Sequence, residues 1–145
     1  MSFLDLDERL IELAHRADIV YSPLVDTKVF PSDVDVTLVE GAVANRDHWD
    51  LIHHVRSSTK TLVSFGDCAV NGNVTAMRNP RGSALSILEG CYRREDSSAP
   101  LPVERPIVPE LLDRVLPVHH VVAVDVFLPG CPPEADVIYT VVLDL

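Results

Sequence analysis

The chain has 145 residues, of which 47% are apolar and 23% are charged, a balance typical of a globular domain rather than a disordered segment. Its 22 acidic residues outnumber its 12 lysines and arginines, for a formal net charge of -10. This charge argues against nucleic-acid binding through the phosphate backbone, which needs a cationic surface. No apolar stretch approaches the roughly 20 residues of a membrane span, because Pro117, Asp125 and Pro129 interrupt the most apolar region.

The three cysteines, Cys68, Cys91 and Cys131, are odd in number and too widely spaced for a secreted disulfide framework. A reducing compartment fits this pattern better. Thiols in such a compartment serve as inert core residues, as metal or cluster ligands, or as nucleophiles.

Helical and strand patterns alternate along the chain. Helical spacing of apolar residues, strand-forming β-branched runs and capping or breaking residues define the predicted elements. In chain order they are a helix over 3–16, a short strand Asp18–Pro23, a strand Val34–Glu40, a helix from the cap Asn45 to about Arg56, a strand Thr61–Phe65, a helix near Ser83–Arg93 within a proline-rich surface excursion over 80–109, a strand Val121–Leu128 and a last helix from about Glu134. This alternation predicts a single α/β domain over residues 1–145, a three-layer sandwich with a parallel sheet.

Three unusual segments follow predicted strands. They are Glu40-Gly41, the stretch Gly66 to Asn73, and Pro129 to Pro133. Ligands of open parallel sheets bind beyond the carboxyl ends of the strands. We therefore expect Cys68 and Cys131, 63 residues apart in sequence, to meet on one rim, each on a glycine-containing loop whose amides can approach sulfur.

The context of each cysteine affects its interpretation. Taken alone, Cys68 is more often a buried thiol than a ligand. Cys131 lies in Pro-Gly-Cys-Pro-Pro, where Pro132 stiffens the loop, and this context favours a ligand. At matching strand ends, the two together indicate a metal-sulfur site.

Other polar residues are less informative. Cys91, at the end of a predicted helix, is interpreted as an ordinary thiol. His119 and His120 either lie in the surroundings of a cluster or have ordinary polar roles. Arg78 and Asn79 either orient the Cys68 loop or dock a partner, and a plain surface arginine is an equal alternative.

Several stretches together resemble the small subunit of NiFe hydrogenases, particularly the cytoplasmic bidirectional NAD(P)-linked kind. The matching stretches are Ser2 to Glu8, Leu38 to Val43, Ser64 to Asn73 with Ala76 to Asn79, and Val124 to Pro133. The cluster-bearing small subunit of respiratory complex I is similar around Pro129 to Pro133. Glu40-Gly41 and Ala76 to Asn79 look more like hydrogenase.

The resemblance implies a flavodoxin-like fold and a proximal 4Fe-4S cluster. This cluster would relay electrons between the Ni-Fe site of a separate large subunit and a diaphorase-type module, in the cytoplasm. Cys68 and Cys131 match two cluster ligands of the family, and Glu40 matches a carboxylate near the cluster. Gly66, Gly130 and Pro132 are then expected beside it.

One departure from the family pattern concerns the remaining ligands. The family takes two further thiolates from a Cys-x-x-Cys loop after its first strand, and the present sequence lacks this loop and that strand. A cubane cluster normally has four thiolates. The expectation is therefore an N-terminally truncated domain, from a fragment or a misassigned start, with two cysteines upstream of Met1 and apolar strand edges left exposed.

Other functions remain open at this point. Cys68 as a nucleophile activated by a histidine such as His119 would make a thiol enzyme. Taken as written, the chain would be a cluster-free module that docks on a large subunit. A complex I-like oxidoreductase subunit is a further alternative, whereas a flavin site lacks its phosphate-binding loop.

Overall fold

The computed structural model describes residues 4–22, 27–93, 100–102 and 107–145. Its elements are, in chain order, a 3-10 turn Leu4–Leu6, α1 Arg9–Ala14, β1 Val34–Glu40, β2 Val43–Asn45, α2 Arg46–Ser58, β3 Thr59–Phe65, α3 Gly66–Asn71, a 3-10 segment Asn73–Arg81, α4 Ala84–Tyr92, β4 Leu111–Leu116, a 3-10 turn Val118–His120, β5 Val126–Leu128 and α5 Ala135–Asp144. No helix in these ranges is long and apolar enough to span a bilayer.

The main sheet contains three parallel strands in the order β1-β3-β5. Glu40 of β1 pairs with Phe65 of β3, and Phe65 pairs with Leu128 of β5. These residues are the last of their strands. The carboxyl ends of all three strands therefore lie in one row.

Helices cover both faces of this sheet. Leu62 of β3 packs into one apolar cluster with Ile52 and Val55 of α2. Its neighbour Val63 packs into a second cluster with Ile138 of α5 on the opposite face, because successive strand side chains alternate. The predicted three-layer α/β architecture with a parallel sheet is confirmed.

Most predicted helices form with the expected caps. The side chain of Asn45 accepts a hydrogen bond from the backbone N–H of His48 at 2.8 Å and caps α2. Ser83 caps α4 in the same way, and α5 begins directly after Glu134. The first predicted helix is divided into the 3-10 turn Leu4–Leu6 and α1.

Two predicted strands are wrong in whole or in part. Asp18 to Ser22 forms no strand, and Pro23 lies outside the described residues. Within the described ranges the main sheet consists of β1, β3 and β5, and this segment is not one of its strands. The strand predicted over Val121–Leu128 is limited to Val126–Leu128, because the valines before it pack against the α2 side of the core instead of joining the sheet.

A second, two-stranded sheet is not predicted by the sequence. It pairs β2 with β4 in antiparallel orientation, with Val43 opposite Leu116. The β4 segment follows a proline-rich excursion, where local patterns favour irregular structure.

Arg56 and Asp125 stabilise the amino-terminal half of β3. The Arg56 guanidinium donates to the carbonyls of Thr59 and Lys60 at 2.7 and 2.9 Å and pairs with the Asp125 carboxylate. That carboxylate also accepts a hydrogen bond from the Leu62 backbone N–H at 2.7 Å. The pKa of Asp125 lies below its usual value. The largest cause is the hydrogen bond from the Leu62 N–H, and the second is the hydrogen bond from Arg56.

Asp125→Ala should lower the free energy of unfolding by about 1 kcal/mol at neutral pH, since the carboxylate is half exposed and its hydrogen bonds are partly screened. A group with a depressed folded-state pKa contributes stability above its unfolded pKa and loses it as the pH falls through the folded value. The difference from wild type should therefore shrink below about pH 4. Urea unfolding of Asp125→Ala and wild type at several pH values measures this difference in the free energy of unfolding. Asp35→Ala, which removes an exposed pair with Lys60, is the control and should change stability less than Asp125→Ala does.

Candidate functional site

Two reciprocal hydrogen bonds join the segments that carry Cys68 and Cys131. The sequence predicts a loop at both cysteines, but Cys68 lies in α3, a short helix that begins directly after β3, and only Cys131 lies in a loop. The backbone N–H of Asp67 donates to the Gly130 carbonyl at 2.9 Å. The Gly130 N–H in turn donates to Oδ1 of Asp67 at 2.8 Å. Each bonded residue directly precedes one cysteine, so the structure brings together the two loops in which the sequence predicts ligands.

Glycines allow these loops to approach closely. Gly66 has φ +78°, and a Cβ on it would lie 3.5 Å from the Gly130 carbonyl oxygen. Gly130 has φ +135°, and a Cβ there would lie only 2.6 Å from Cα of Pro133. Pro132, between Cys131 and Pro133, follows a cis peptide bond. A side chain at Gly130 would therefore collide with the backbone of its own loop, whereas a Cβ at Gly66 would make only an ordinary contact with the Gly130 carbonyl.

The two thiols differ in exposure. Cys68 lies in the first half of α3 and is half-buried, and α3 is anchored by the fully buried Ala69. Cys131 is exposed, and neither cysteine forms a disulfide. Both sulfurs are therefore free thiols.

Asn73 contacts the Cys131 sulfur. Its side-chain Nδ2 donates to Sγ at a distance of 3.3 Å. Asn73 has φ +36°, and its backbone N–H donates to Oδ1 of Asn71 at 2.8 Å, which fixes the turn after α3. The cysteine on one loop thus has a polar neighbour from the other loop.

Glu40 ends β1 in the same row as the last residue of β3. Its side chain is exposed, and Gly41 follows it with φ +88°. The structure therefore places Glu40 at the carboxyl edge of the sheet, beside the strand that leads to Cys68.

Arg78 and Asn79 fix the segment that follows this loop. The Arg78 guanidinium donates to the carbonyls of Leu112 and Ala44 at 2.6 and 3.1 Å. Asn79 exchanges two hydrogen bonds with the backbone of Val115, at 2.8 and 3.0 Å. Both side chains orient the 3-10 segment against the two-stranded sheet, so the alternative of a plain surface arginine is excluded.

The remaining candidates are His119, His120 and Cys91, and the turn that carries the two histidines packs against α3. His119 stacks edge-on against Phe127 and His120, with ring centroids 5.5 and 4.5 Å away. Cys91 is exposed on α4, whose first residue donates its backbone N–H to the Asp113 carboxylate on β4. Neither histidine is hydrogen-bonded to a cysteine within the ranges the structure describes.

Asp67 and Asn73 are residues of the candidate site that the sequence alone does not single out. Both are small polar residues next to glycines, a pattern that indicates a turn. The pattern does not reveal that their partners lie 63 and 58 residues further along the chain.

The donor chemistry of the site fits an iron-sulfur group. Thiolates are the ligands that such clusters take, and hydrogen bonds to their sulfurs are a normal part of their surroundings. Over the described part of the chain, no group of three or more histidine, cysteine and acidic side chains is arranged to hold a metal ion. Cys68 and Cys131 would therefore supply two thiolates of a larger ligand set.

The protein is a three-layer α/β domain with a cysteine shortly after each of two adjacent parallel strands. The whole chain, residues 1–145, matches the family described as NADH ubiquinone oxidoreductase, 20 Kd subunit. The chain belongs to that family.

Two similar proteins are hydrogenase subunits. The chain is 36% identical over 153 residues to the NAD-reducing hydrogenase HoxS subunit delta of Cupriavidus necator, covering 100% of this chain and 71% of that protein. It is 36% identical over 140 residues to a subunit of the F420-non-reducing hydrogenase vhu of Methanococcus voltae, covering 94% of this chain and 48% of the relative. The chain thus spans from about half to 71% of the length of these relatives.

A solved structure of NAD+-reducing [NiFe]-hydrogenase in the H2-reduced state is also similar. It superposes with a TM-score of 0.87 at 37% identity, over 99% of this chain and 81% of that one. The resemblance to hydrogenase small subunits that the sequence motifs indicate is confirmed.

Asp67→Ala should lower the free energy of unfolding by about 1–2 kcal/mol, because it leaves the Gly130 N–H without its acceptor. Asp67→Asn retains an oxygen in the same position and should recover most of the loss. Urea unfolding of the three proteins measures the difference. Equal stability of the alanine and asparagine variants would contradict the assigned role of the oxygen.

Gly130→Ala should destabilise the protein more than Gly41→Ala. Both substitutions force a residue with a Cβ into positive φ, at a cost of about 1–2 kcal/mol. A Cβ on Gly41 meets no atom within 4 Å, whereas one on Gly130 collides with the Pro133 backbone. Thermal unfolding of both variants isolates the collision, and equal losses would argue against close packing of the Cys131 loop.

Proposed function

We propose that this chain is the electron-transfer subunit of a NiFe hydrogenase and holds a 4Fe-4S cluster through Cys68 and Cys131. The observation that carries the proposal is the pair of hydrogen bonds between Asp67 and Gly130, which joins the two cysteine loops at the ends of adjacent strands. Membership of the family and the hydrogenase names of the relatives support it. One relative, from Archaeoglobus profundus, is named as an iron-sulfur subunit of a hydrogenase.

The ligand count implies a contribution from elsewhere. A 4Fe-4S cluster takes four thiolates, and the two strand-end loops provide two. Cys91 is on α4, which leads from the 3-10 segment to the two-stranded sheet, so it does not complete the set in our proposal. The other two thiolates would come from outside these 145 residues.

The residues of the rim have distinct roles in this proposal. When bound, the cluster supplies one-electron transfer. Cys68 and Cys131 hold iron, and the contacts of Asp67 with Gly130 maintain the spacing of their loops. Gly66 and Pro132 shape those loops, and Glu40 places a carboxylate at the same edge of the sheet, where it affects the local charge.

The proposed partners are a hydrogenase large subunit, which carries the Ni-Fe site, and a diaphorase-type module. Cys131 is exposed and Cys68 half-buried, so this chain by itself leaves part of the site uncovered. A partner surface would cover that part and shorten the path of the electron. We place the assembly in the cytoplasm, which fits a chain with three cysteines and no disulfide.

Two other functions make different predictions. A histidine-activated thiol enzyme needs a base beside its nucleophile, and His119 instead stacks on Phe127. A complex I-like subunit would share the family and the cluster, but the named relatives are hydrogenase subunits. The hydrogenase assignment is therefore better supported than either.

Iron and acid-labile sulfide content tests the ligand assignment. The protein is purified anaerobically together with its native partner subunits, as wild type and as the variants Cys68→Ser and Cys131→Ser. Each substitution should remove one of four thiolates and lower the iron attributable to this chain, determined after its anaerobic separation from the partner subunits, by more than half. Cys91→Ser is the matched control and should leave the iron content unchanged.

Two outcomes would contradict the proposal. Full iron content in either Cys68→Ser or Cys131→Ser would remove that residue from the ligand set. A wild-type complex that contains the large subunit but no iron attributable to this chain would favour a cluster-free docking module.

A further inference from the structure

We propose that Asn73 is a positioning residue that sets the reduction potential of the iron-sulfur group through its hydrogen bond to the Cys131 sulfur. The inference rests on the proposed function and extends it to a residue that is not a ligand. It starts from the Nδ2 to Sγ distance of 3.3 Å.

The direction of this hydrogen bond follows from the chemistry of the ligand. A cysteine that binds iron is a thiolate, which accepts hydrogen bonds and donates none. Of the two ends of the Asn73 amide, only the NH2 group can therefore face the sulfur. The carbonyl oxygen of the same amide would repel it.

The turn after α3 keeps the amide in place. Gly72 ends α3 with φ +86°, and Asn73 continues in the left-handed region with φ +36°. Asparagine tolerates this region better than most residues. The bond from the Asn73 N–H to Oδ1 of Asn71 fixes the backbone at Asn73. The Thr75 hydroxyl bonds to the Gly72 carbonyl, a contact that involves neither Asn73 nor the sulfur.

The expected effect concerns the charge of the cluster. Reduction adds one negative charge, and part of that charge resides on the ligating sulfurs. A donor to such a sulfur stabilises the reduced form more than the oxidised form, which raises the potential. Removing the donor should therefore make the potential more negative.

Three variants separate this effect from a change in folding. Asn73→Gly removes the donor and accepts the positive φ without strain. Asn73→Asp keeps the shape but replaces the donor with a carboxylate oxygen. Thr75→Val is the matched control, since it removes one hydrogen bond of the same turn without touching the sulfur.

The measurement is an EPR-monitored redox titration of the anaerobic complex with its native partner subunits, with iron content determined in each sample. Asn73→Gly should shift the midpoint potential to a more negative value, and Asn73→Asp should shift it further. Thr75→Val should retain the wild-type potential. In wild type, resonance Raman spectra in D2O should show a shifted Fe–S stretching band, and this isotope shift should be smaller in both Asn73 variants.

The outcomes distinguish this inference from the function on which it rests. A wild-type complex without the cluster would overturn both. A loaded cluster with unchanged potential and isotope shift in the Asn73 variants would overturn the role of Asn73 alone. Loss of iron from both Asn73 variants, with Thr75→Val fully loaded, would also overturn tuning and assign Asn73 to cluster retention.

Discussion

The candidate site depends on three parallel strands that end at the same level. Glu40, Phe65 and Leu128 pair in one row, so the loops after them start from neighbouring points. A slip of β5 by one residue would turn Leu128 away from its cluster beneath α5 to the opposite face of the sheet. It would also separate the backbone of Gly130 from Asp67. The contact between the segments that carry Cys68 and Cys131 therefore depends on the register of the sheet.

Burial on both faces of the sheet maintains this register. Leu62 and Val63 are adjacent in β3 and both fully buried, one beneath α2 and the other beneath α5. A shift of β3 by one residue would exchange the faces of these two side chains and create voids or overpacking in both clusters. The carboxyl edge is thus held by a packed core, while its loops remain accessible to a group bound there.

Sequence patterns predicted the parts of the fold that local signals determine. The strand Val34–Glu40 and the capped helix α2 follow from β-branched residues and from Asn45, and the structure contains both. Asp18 to Ser22 carries a similar strand signal but forms no strand, because a strand forms only as part of a sheet, and the main sheet of the described residues consists of β1, β3 and β5. The predicted strand over Val121–Leu128 is too long for a related reason. The valines before β5 pack against the α2 side of the core instead of pairing in the sheet.

In the site, as in the fold, the sequence predicted what local patterns determine and missed contacts between residues that are distant in sequence. The strand-end rule singled out Cys68 and Cys131, because each follows a predicted strand within three residues, although Cys68 proves to lie in a short helix instead of a loop. The partners of Asp67 and Asn73 could not be predicted in this way. Their hydrogen bonds connect loops 63 and 58 residues apart in sequence, and only the sheet topology brings those loops together.

The charge of the chain gives the Asn73 contact its physical importance. Thiolates and a reduced cluster would add negative charge to a chain whose formal charge is already -10. Arg78, close in sequence to the Cys68 loop, directs its donors to backbone carbonyls, and Lys60 pairs with Asp35. The donor that the structure shows at a cysteine sulfur is a neutral amide. A neutral donor of this kind can stabilise added charge on sulfur without introducing a cation that an acidic neighbour would neutralise.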